Sequence, residues 1–385
     1  MSRVLVVTRN YPPLLGGMER LNRHMVDELA RRHEVRLIAP EGAGKHTTND
    51  VRVREVPLNP LRRFVWRSAC VALAEARIWR PDVVLAGSGL TAPAAWLAAR
   101  ACGARAVAYV HGLDVVVPNQ VYQRVWVPML RRMDRLVANS RATAALCEAA
   151  GVAPARVGVV HPGVAMPATL PAETSVAAFR HKHGLGCKPM LLSVGRLSAR
   201  KGLLEFVTHA LPAIARAVPH VVLVVVGDAP KHALHAQAQS PQAIAEAAES
   251  AGVGAHVHFL GILDDAELAL AYGAANLHVF PIREMAGDPE GFGMVAIEAA
   301  AHGLRTVAFA AGGVSDAVCP DRSGWLVPVG NYAGLADAVV HALACGEPTI
   351  AQCQAFASQF EWQNFGLGIT QELQRTITSL SETAL

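Results

Sequence analysis

The chain has 385 residues, of which 52% are hydrophobic and 17% charged, with a formal net charge of +4; that length is enough for two globular domains, each with its own core. Its longest apolar runs, such as VVLVVVG at Val221–Gly227, fall far short of the roughly 20 residues that span a bilayer, and its seven cysteines show no CxxC or CxxH spacing, which argues against a disulfide frame or a zinc site. The charge is uneven: residues 1–165 carry 23 Lys and Arg against 12 Asp and Glu, net +11, and residues 166–385 carry 12 against 19, net −7.

The N-terminus, MSRVLVVTRNYPP, places one Arg before a short apolar run that ends in polar residues. It reads as a first β-strand and not as a signal peptide, so a cytoplasmic protein is expected. Gly16 and Gly17 follow in a turn. Further β-branched runs, EVRLIA, VRVREV, DVVLAG, AVAYVHG, RLVANS and VGVVHPG, alternate with Ala- and Leu-rich stretches, the pattern of a parallel sheet with helices on both faces. Two of the intervening stretches, Asn59–Pro81 and Gln120–Arg135, mix cations with aromatics. Arg62, Arg63, Phe64, Trp66 and Arg67 lie in the first, and Tyr122, Arg124, Trp126, Arg131 and Arg132 in the second. Such a face suits anionic lipid, and core packing with solvated arginine is the plainer alternative. Nucleic acid would also answer the charge, but no RNA- or DNA-binding motif accompanies it.

A loose stretch rich in Pro, Ala and Thr, Pro162–Thr174, reads as an interdomain linker. The rhythm then restarts with MLLSVGRLS, VVLVVVGD, HVHFLGIL, NLHVFPIRE, RTVAFAAGG and GWLVPVG. The expected layout is an N-terminal domain over 1–165, a linker over 166–188, a second domain over 189–355, and helices over 356–385 that return to the first domain. Ligand is expected at the carboxyl ends of the strands.

Two segments of the second half carry chemistry. In LSVGRLSARKG, Arg196 and Lys201 follow a strand on a Gly-containing loop. A forked guanidinium beside a compact ammonium suits a pyrophosphate. In GDPEGFGMVAIEAAAHG, Glu290 and Glu298 stand eight residues apart around Gly291-Phe292-Gly293. On one helix they would be separated by about 12 Å of rise and roughly 80° of rotation, whereas a glycosidase pair needs carboxyl groups about 5 to 9.5 Å apart. The two glutamates are therefore expected to hold different parts of one long ligand. The glycines permit a sharp turn, with a helix starting near Met294 whose free N–H groups suit an anion. A nucleotide sugar has that layout. No Asp-x-Asp occurs, and Asp264-Asp265 reads as a helix cap, so no metal is called for. G-x-G-x-x-G is missing after the first strand, which counts against a nicotinamide dehydrogenase.

Taken in order, PPLLGGMER, YVHGLD, HPGV, SVGRLSARKG, VVGD, FLGILDDAEL, PIRE and PEGFGMVAIEAAAHG resemble glycosyltransferase family 4, retaining enzymes of the GT-B architecture with two Rossmann-like domains facing across a cleft. The resemblance extends to phosphatidylinositol mannosyltransferases and to cell-envelope polysaccharide glycosyltransferases. It implies that Glu290 holds hydroxyls of the transferred sugar, that Glu298 grips the nucleotide ribose, and that Arg196 and Lys201 take the phosphates. It further implies that Gly16 and Gly17 cover the diphosphate, that His111 approaches the donor sugar with Asp114 nearby, and that Gly293 and Met294 offer N–H groups to phosphate. Phe292 would then shape the sugar pocket, and the base would lie near Ile262 and Gly227.

The implied function is retaining, metal-independent transfer of a hexose from a GDP- or UDP-sugar to a lipid-linked or phospholipid acceptor in cell-envelope glycan assembly, with GDP-mannose weakly favoured. The basic N-terminal domain would sit peripherally on the inner face of the cell membrane. A UDP-sugar enzyme with a soluble acceptor and a catalytically silent nucleotide-sugar-binding protein are the alternatives.

Overall fold

The computed structural model describes residues 1–229 and 238–378. They form two compact units: Met1–Gly163 with the chain from Trp362 onward, and Val164–Glu361. Among the described residues no helix is long and apolar enough to cross a membrane.

The first unit is built on seven strands: β1 (Arg3–Val7), β2 (Glu34–Pro40), β3 (Arg52–Val56), β4 (Val83–Ala86), β5 (Arg105–Val110), β6 (Arg135–Ala138) and β7 (Val157–Val159). They pair in the order β3-β2-β1-β4-β5-β6-β7, all parallel. Because successive strand residues point to opposite faces, Val4 and Val6 join one core layer with Leu21, Met25 and Leu29 of the helix Gly17–Ala30. Leu5 and Val7 join the other, with Ala72 and Ala76 of the helix Leu61–Trp79 and the alanines of the helix Ala92–Cys102. Both faces are covered, which is why these strands read as continuous apolar runs.

The second unit repeats the plan with β8 (Met190–Val194), β9 (Val222–Val226), β10 (Val257–Gly261), β11 (Leu277–Phe280), β12 (Thr306–Phe309) and β13 (Gly324–Val327). The order is β10-β9-β8-β11-β12-β13, again parallel throughout. Leu191, Leu223 and Val225 face one core, and Met190, Leu192, Val222 and Val224 the other. Both sheets are doubly wound, and in each the chain reverses its direction of travel between the first and fourth strands of that sheet. That reversal opens a crevice at the strands' carboxyl ends, the place where such sheets bind ligands.

The expected boundaries need two corrections. Residues 166–188, expected as a linker, belong to the second unit and contain the helix Glu173–Lys182, which packs on the helix Asp265–Ala274. Only Phe179 of that helix is fully buried, so its sequence lacks the apolar stripe that announces a helix. At the other end, residues 356–361 stay in the second unit, where Phe356 and Phe360 pack in the core around Phe292. The helix Trp362–Thr378 lies in the first unit against Gly17–Ala30. It buries Phe365, Ile369 and Leu373, stacks Trp362 on His24 at 4.0 Å, and sets Glu372 against Arg135. The rest of the expected C-terminal helix, residues 379–385, lies outside the described residues.

Candidate functional site

In the second unit the crevice lies between the loops that follow β8 and β11. The loop after β8 is held from both sides. Gly195 N–H donates to Val226 O and Leu197 N–H to Asp228 O, both at 2.9 Å. Gly227, at φ +134°, sits so close that a Cβ there would lie 1.9 Å from Gly195 O, so only glycine lets these two loops touch. A 3-10 turn, Ala199–Lys201, then aims two consecutive side chains inward and ends at Gly202, φ +68°. Gly202 lies against Pro281 O of the loop after β11, and Arg283 N–H donates to Arg200 O at 2.9 Å.

Glu290 is where the two loops meet. Its Oε2 accepts from Arg200 at 2.8 Å and from Lys201 at 2.9 Å. Arg200 also donates to Pro289 O at 3.2 Å and lies 3.4 Å from Asp288. The Glu290 backbone is fixed by Gly313 N–H at 3.0 Å. Burial opposes the ionisation of Glu290, and Arg200 and Lys201 overcome it, holding its pKa at about 2. Lys201 is displaced in the unfavourable direction: burial lowers its pKa, Glu290 resists, and Arg200 and Arg196 push it lower. The desolvated Lys201 ammonium is thus only partly compensated by the carboxylate it shares with Arg200, which an anionic ligand would relieve. His278 of β11, fully buried and 3.1 Å from Thr306 Oγ1, is held near pKa 3 by burial and by the Lys201 charge, so it adds no cation.

Beyond Glu290 the chain turns through Gly293, φ +93°, where a Cβ would lie 2.8 Å from the Phe280 ring. The helix starts at Met294, as expected, with no side chain capping its first N–H groups. Those donors and the dipole of the helix point out of its N-terminus. One turn and more along, Glu298 accepts from Tyr272 OH at 3.3 Å, with Tyr272 stacked on His302. The two glutamates thus have different surroundings, one among cations and one beside a phenol. Ile262, 78% exposed, follows Gly261 at the end of β10.

One placement differs from expectation and one residue was not foreseen. The arginine on Glu290 is Arg200, which was not singled out, whereas Arg196, expected at the phosphates, is exposed and has no side-chain partner among the described residues. Arg200 stood beside Lys201 in the same motif, and its adjacency was the available signal. The Phe292 ring is turned into the core against Phe360, so it supports the turn from behind and does not line a surface. Asp264 caps its helix, as expected, by accepting from Glu267 N–H at 2.8 Å; among the described residues no group of three or more His, Cys, Asp or Glu is placed to hold a metal ion.

In the first unit the ends of β4, β5 and β6 carry a second polar group. Asp114 accepts from the N–H groups of His111, at 2.9 Å, and of Gly89, joining the loops after β5 and β4. His111 Nδ1 lies 3.2 Å from the Asn139 amide nitrogen. With that nitrogen donating, Nδ1 accepts and Nε2 carries the proton. Burial lowers the His111 pKa despite Asp114 and Glu19, which favours the neutral ring. His111 Nε2, Ser88 Oγ, Tyr122 OH and Asn139 Oδ1 are all buried without a hydrogen-bond partner among the described residues. Four such atoms together are unusual in a folded interior, and they suit a ligand rich in hydroxyls. Ser88, Tyr122 and Asn139 were not singled out as site residues, because each alone is an ordinary polar side chain. Gly16 and Gly17 open the helix Gly17–Ala30, which also lacks a side-chain cap.

The mixed basic and aromatic face is smaller than expected. Phe64 is fully buried, Trp126 donates its indole N–H to Leu90 O, and Tyr122 stacks on Trp126. Exposed are Arg62, Arg63, Trp66 and Arg67 on one helix, and Val121, Arg124 and Val125 on another, with Arg131 and Arg132 just beyond its end. Both helices pack on Ala92–Cys102.

The profile of the family Glycosyl transferases group 1 matches residues 176–359, and that of Glycosyltransferase Family 4 matches residues 15–166. The chain is 27% identical over 394 residues to a GDP-mannose-dependent alpha-(1-6)-phosphatidylinositol monomannoside mannosyltransferase of Mycolicibacterium smegmatis, covering 96% of this chain and 98% of that protein. It is 28% identical over 415 residues to a glycogen synthase of Mycobacterium tuberculosis, covering 96% and 94%. HepE of Anabaena, solved in complex with UDP, shares the fold with a TM-score of 0.77 at 21% identity, over 97% of this chain and 100% of that one.

Proposed function

The chain belongs to glycosyltransferase family 4, and from that premise we propose that it moves a hexose, with mannose from GDP-mannose favoured, to a lipid-linked or phospholipid acceptor. The observation that carries the reading is the cluster of Glu290, Arg200 and Lys201 at the crevice of the second sheet, where two cations share one carboxylate oxygen. The donor diphosphate lies on Lys201, Arg196 and the N–H groups at Gly293 and Met294. Glu290 takes hydroxyls of the sugar, and Glu298 those of the ribose. The base rests near Gly227 and Ile262. Gly16 and Gly17 cover the diphosphate, and His111, its Nε2 proton free, donates to the transferred hexose. Asp114 serves as the clasp that fixes His111.

In this reading the bond from the anomeric carbon to the phosphate oxygen breaks as the acceptor oxygen attacks from the same face. The departing phosphate oxygen accepts the acceptor's proton, and configuration is retained. Lys201, Arg196 and the helix terminus stabilise the charge left on the diphosphate, so the reaction is proposed to run without a metal.

The donor is supported by the mannosyltransferase relative, whose name specifies GDP-mannose. Thermal unfolding with GDP and with UDP tests it: at a hundred times its dissociation constant the true ligand should add about 2.7 kcal/mol. Stabilisation by UDP alone would move the donor to a UDP-sugar, and no effect from either would sink the reading.

The acceptor half of the proposal predicts peripheral binding to the inner leaflet through Arg62, Arg63, Trp66 and Arg67. Anionic vesicles should pull the protein down at low salt. Replacing Arg62 and Arg63 by Glu should weaken the binding by at least the roughly fivefold per arginine that a surface cation contributes. A wild-type protein that stays in the supernatant at low salt would remove the membrane from the proposal.

A further inference from the structure

Two cations share one carboxylate oxygen in this site, and they are not equivalent. Arg200 is anchored at several points. Its guanidinium reaches Glu290 Oε2 at 2.8 Å, Pro289 O at 3.2 Å and Asp288 at 3.4 Å, and its carbonyl accepts from Arg283 N–H at 2.9 Å. Its contacts thus fall on three consecutive residues of the loop after β11, with Nη1 making both hydrogen bonds and Nε facing Asp288. Lys201 has one charged contact, Glu290 Oε2 at 2.9 Å, and otherwise lies 4.8 Å above the Phe280 ring. A single ammonium on a flexible stem can turn to another acceptor where a fixed guanidinium cannot.

If Lys201 were the sole partner of Glu290, its turning to phosphate would leave a largely shielded carboxylate unpaired, which is unfavourable. With Arg200 present the carboxylate keeps a charged donor throughout. Oε1, which has no partner among the described residues, is left to accept from a sugar hydroxyl. We propose that Arg200 is a positioning residue that holds Glu290 on the transferred sugar while Lys201 leaves that carboxylate for the donor diphosphate. The proposal rests on the nucleotide-sugar reading above and assigns Arg200 to the sugar end of the ligand, with no contact to phosphate.

The test separates the two ends of the donor. Affinities of the full chain for GDP and GDP-mannose, and for UDP and UDP-glucose, are measured by calorimetry in wild type, Arg200→Met and Arg200→Lys, alongside kcat and KM for transfer. Arg200→Met should keep nucleoside diphosphate affinity within about threefold, lose the extra affinity contributed by the sugar, and lower kcat roughly 10- to 100-fold, the range of a charge-assisted hydrogen bond. Arg200→Lys should restore part of kcat. A tenfold or larger loss of diphosphate affinity in Arg200→Met would make Arg200 a phosphate ligand and overturn the proposal, as would unchanged kinetics. If Arg200→Met does not fold, Arg200→Gln carries the same comparison. A wild type that binds neither GDP nor UDP refutes the donor reading itself, a result distinct from either of these.

Discussion

Replacing Lys201 by alanine is expected to slow transfer by roughly 10²- to 10³-fold, the range seen when one preorganised donor to developing charge is removed. The reason lies in where the charge goes. As the glycosidic bond to phosphate breaks, negative charge accumulates on the leaving diphosphate, and the cation nearest it must be dry and close. Lys201 is largely shielded from solvent, lies above Phe280, and its ammonium is disfavoured by desolvation that Glu290 only partly offsets. Its interaction with a charge that grows along the reaction therefore favours the transition state over the bound donor. The loss should appear mainly in kcat. Arg196, exposed on the same loop, is screened by solvent, and Arg196→Ala should act chiefly on KM. Single-turnover kinetics with labelled nucleotide sugar would check both. Equal effects on kcat from the two substitutions would mean that the site does not distinguish them as their burial does.

Glu290→Gln is expected to cost about 3 to 5 kcal/mol of stability at neutral pH, the range for removing one member of a buried ion pair, and to abolish most transfer. The amide leaves Arg200, Lys201 and Arg196 facing one another with only Asp288 to offset them. The folded pKa of Glu290, about 2, lies below the ordinary value of 4.5. Its contribution is therefore fully present above about pH 4.5 and is lost as pH falls toward 2. The gap in unfolding free energy between wild type and Glu290→Gln should be constant from pH 7 to about 5 and close below that. Denaturant unfolding across this range is the measurement, and a gap that is the same at pH 3 and pH 7 would show that the cations do not hold Glu290 ionised.

How far the sequence reaches depends on whether a residue's role is set locally. The apolar runs became strands because both faces of each sheet are covered, so burial left a continuous signal in β8, β9 and β11. The start of the helix at Met294 was legible because Gly293 is required by a positive φ. Lys201 and Glu290 were legible from their motifs. Arg200 was not distinguished from Arg196, because which arginine turns inward is decided by the 3-10 turn Ala199–Lys201 and by Gly202 packing on Pro281. The helix Glu173–Lys182 was missed for want of an apolar stripe. The aromatics from Phe356 to Phe365 looked like one set, and their division between two cores is made by residues far away in the chain.

The division of the chain at Gly163 and Glu361 also bears on how the molecule is made. The second unit is one uninterrupted segment, ready to collapse as soon as its last α-helix, Ile350–Ala357, leaves the ribosome. The first is not, since the helix that packs on Gly17–Ala30 and against β5 and β6 is translated some two hundred residues after the sheet it protects. Until then the part of that apolar layer that receives Phe365, Ile369 and Leu373 stays uncovered, a period in which a nascent chain is open to aggregation. A stop codon near residue 360 would consequently damage the half of the protein that was synthesised first, while sparing the half synthesised just before it.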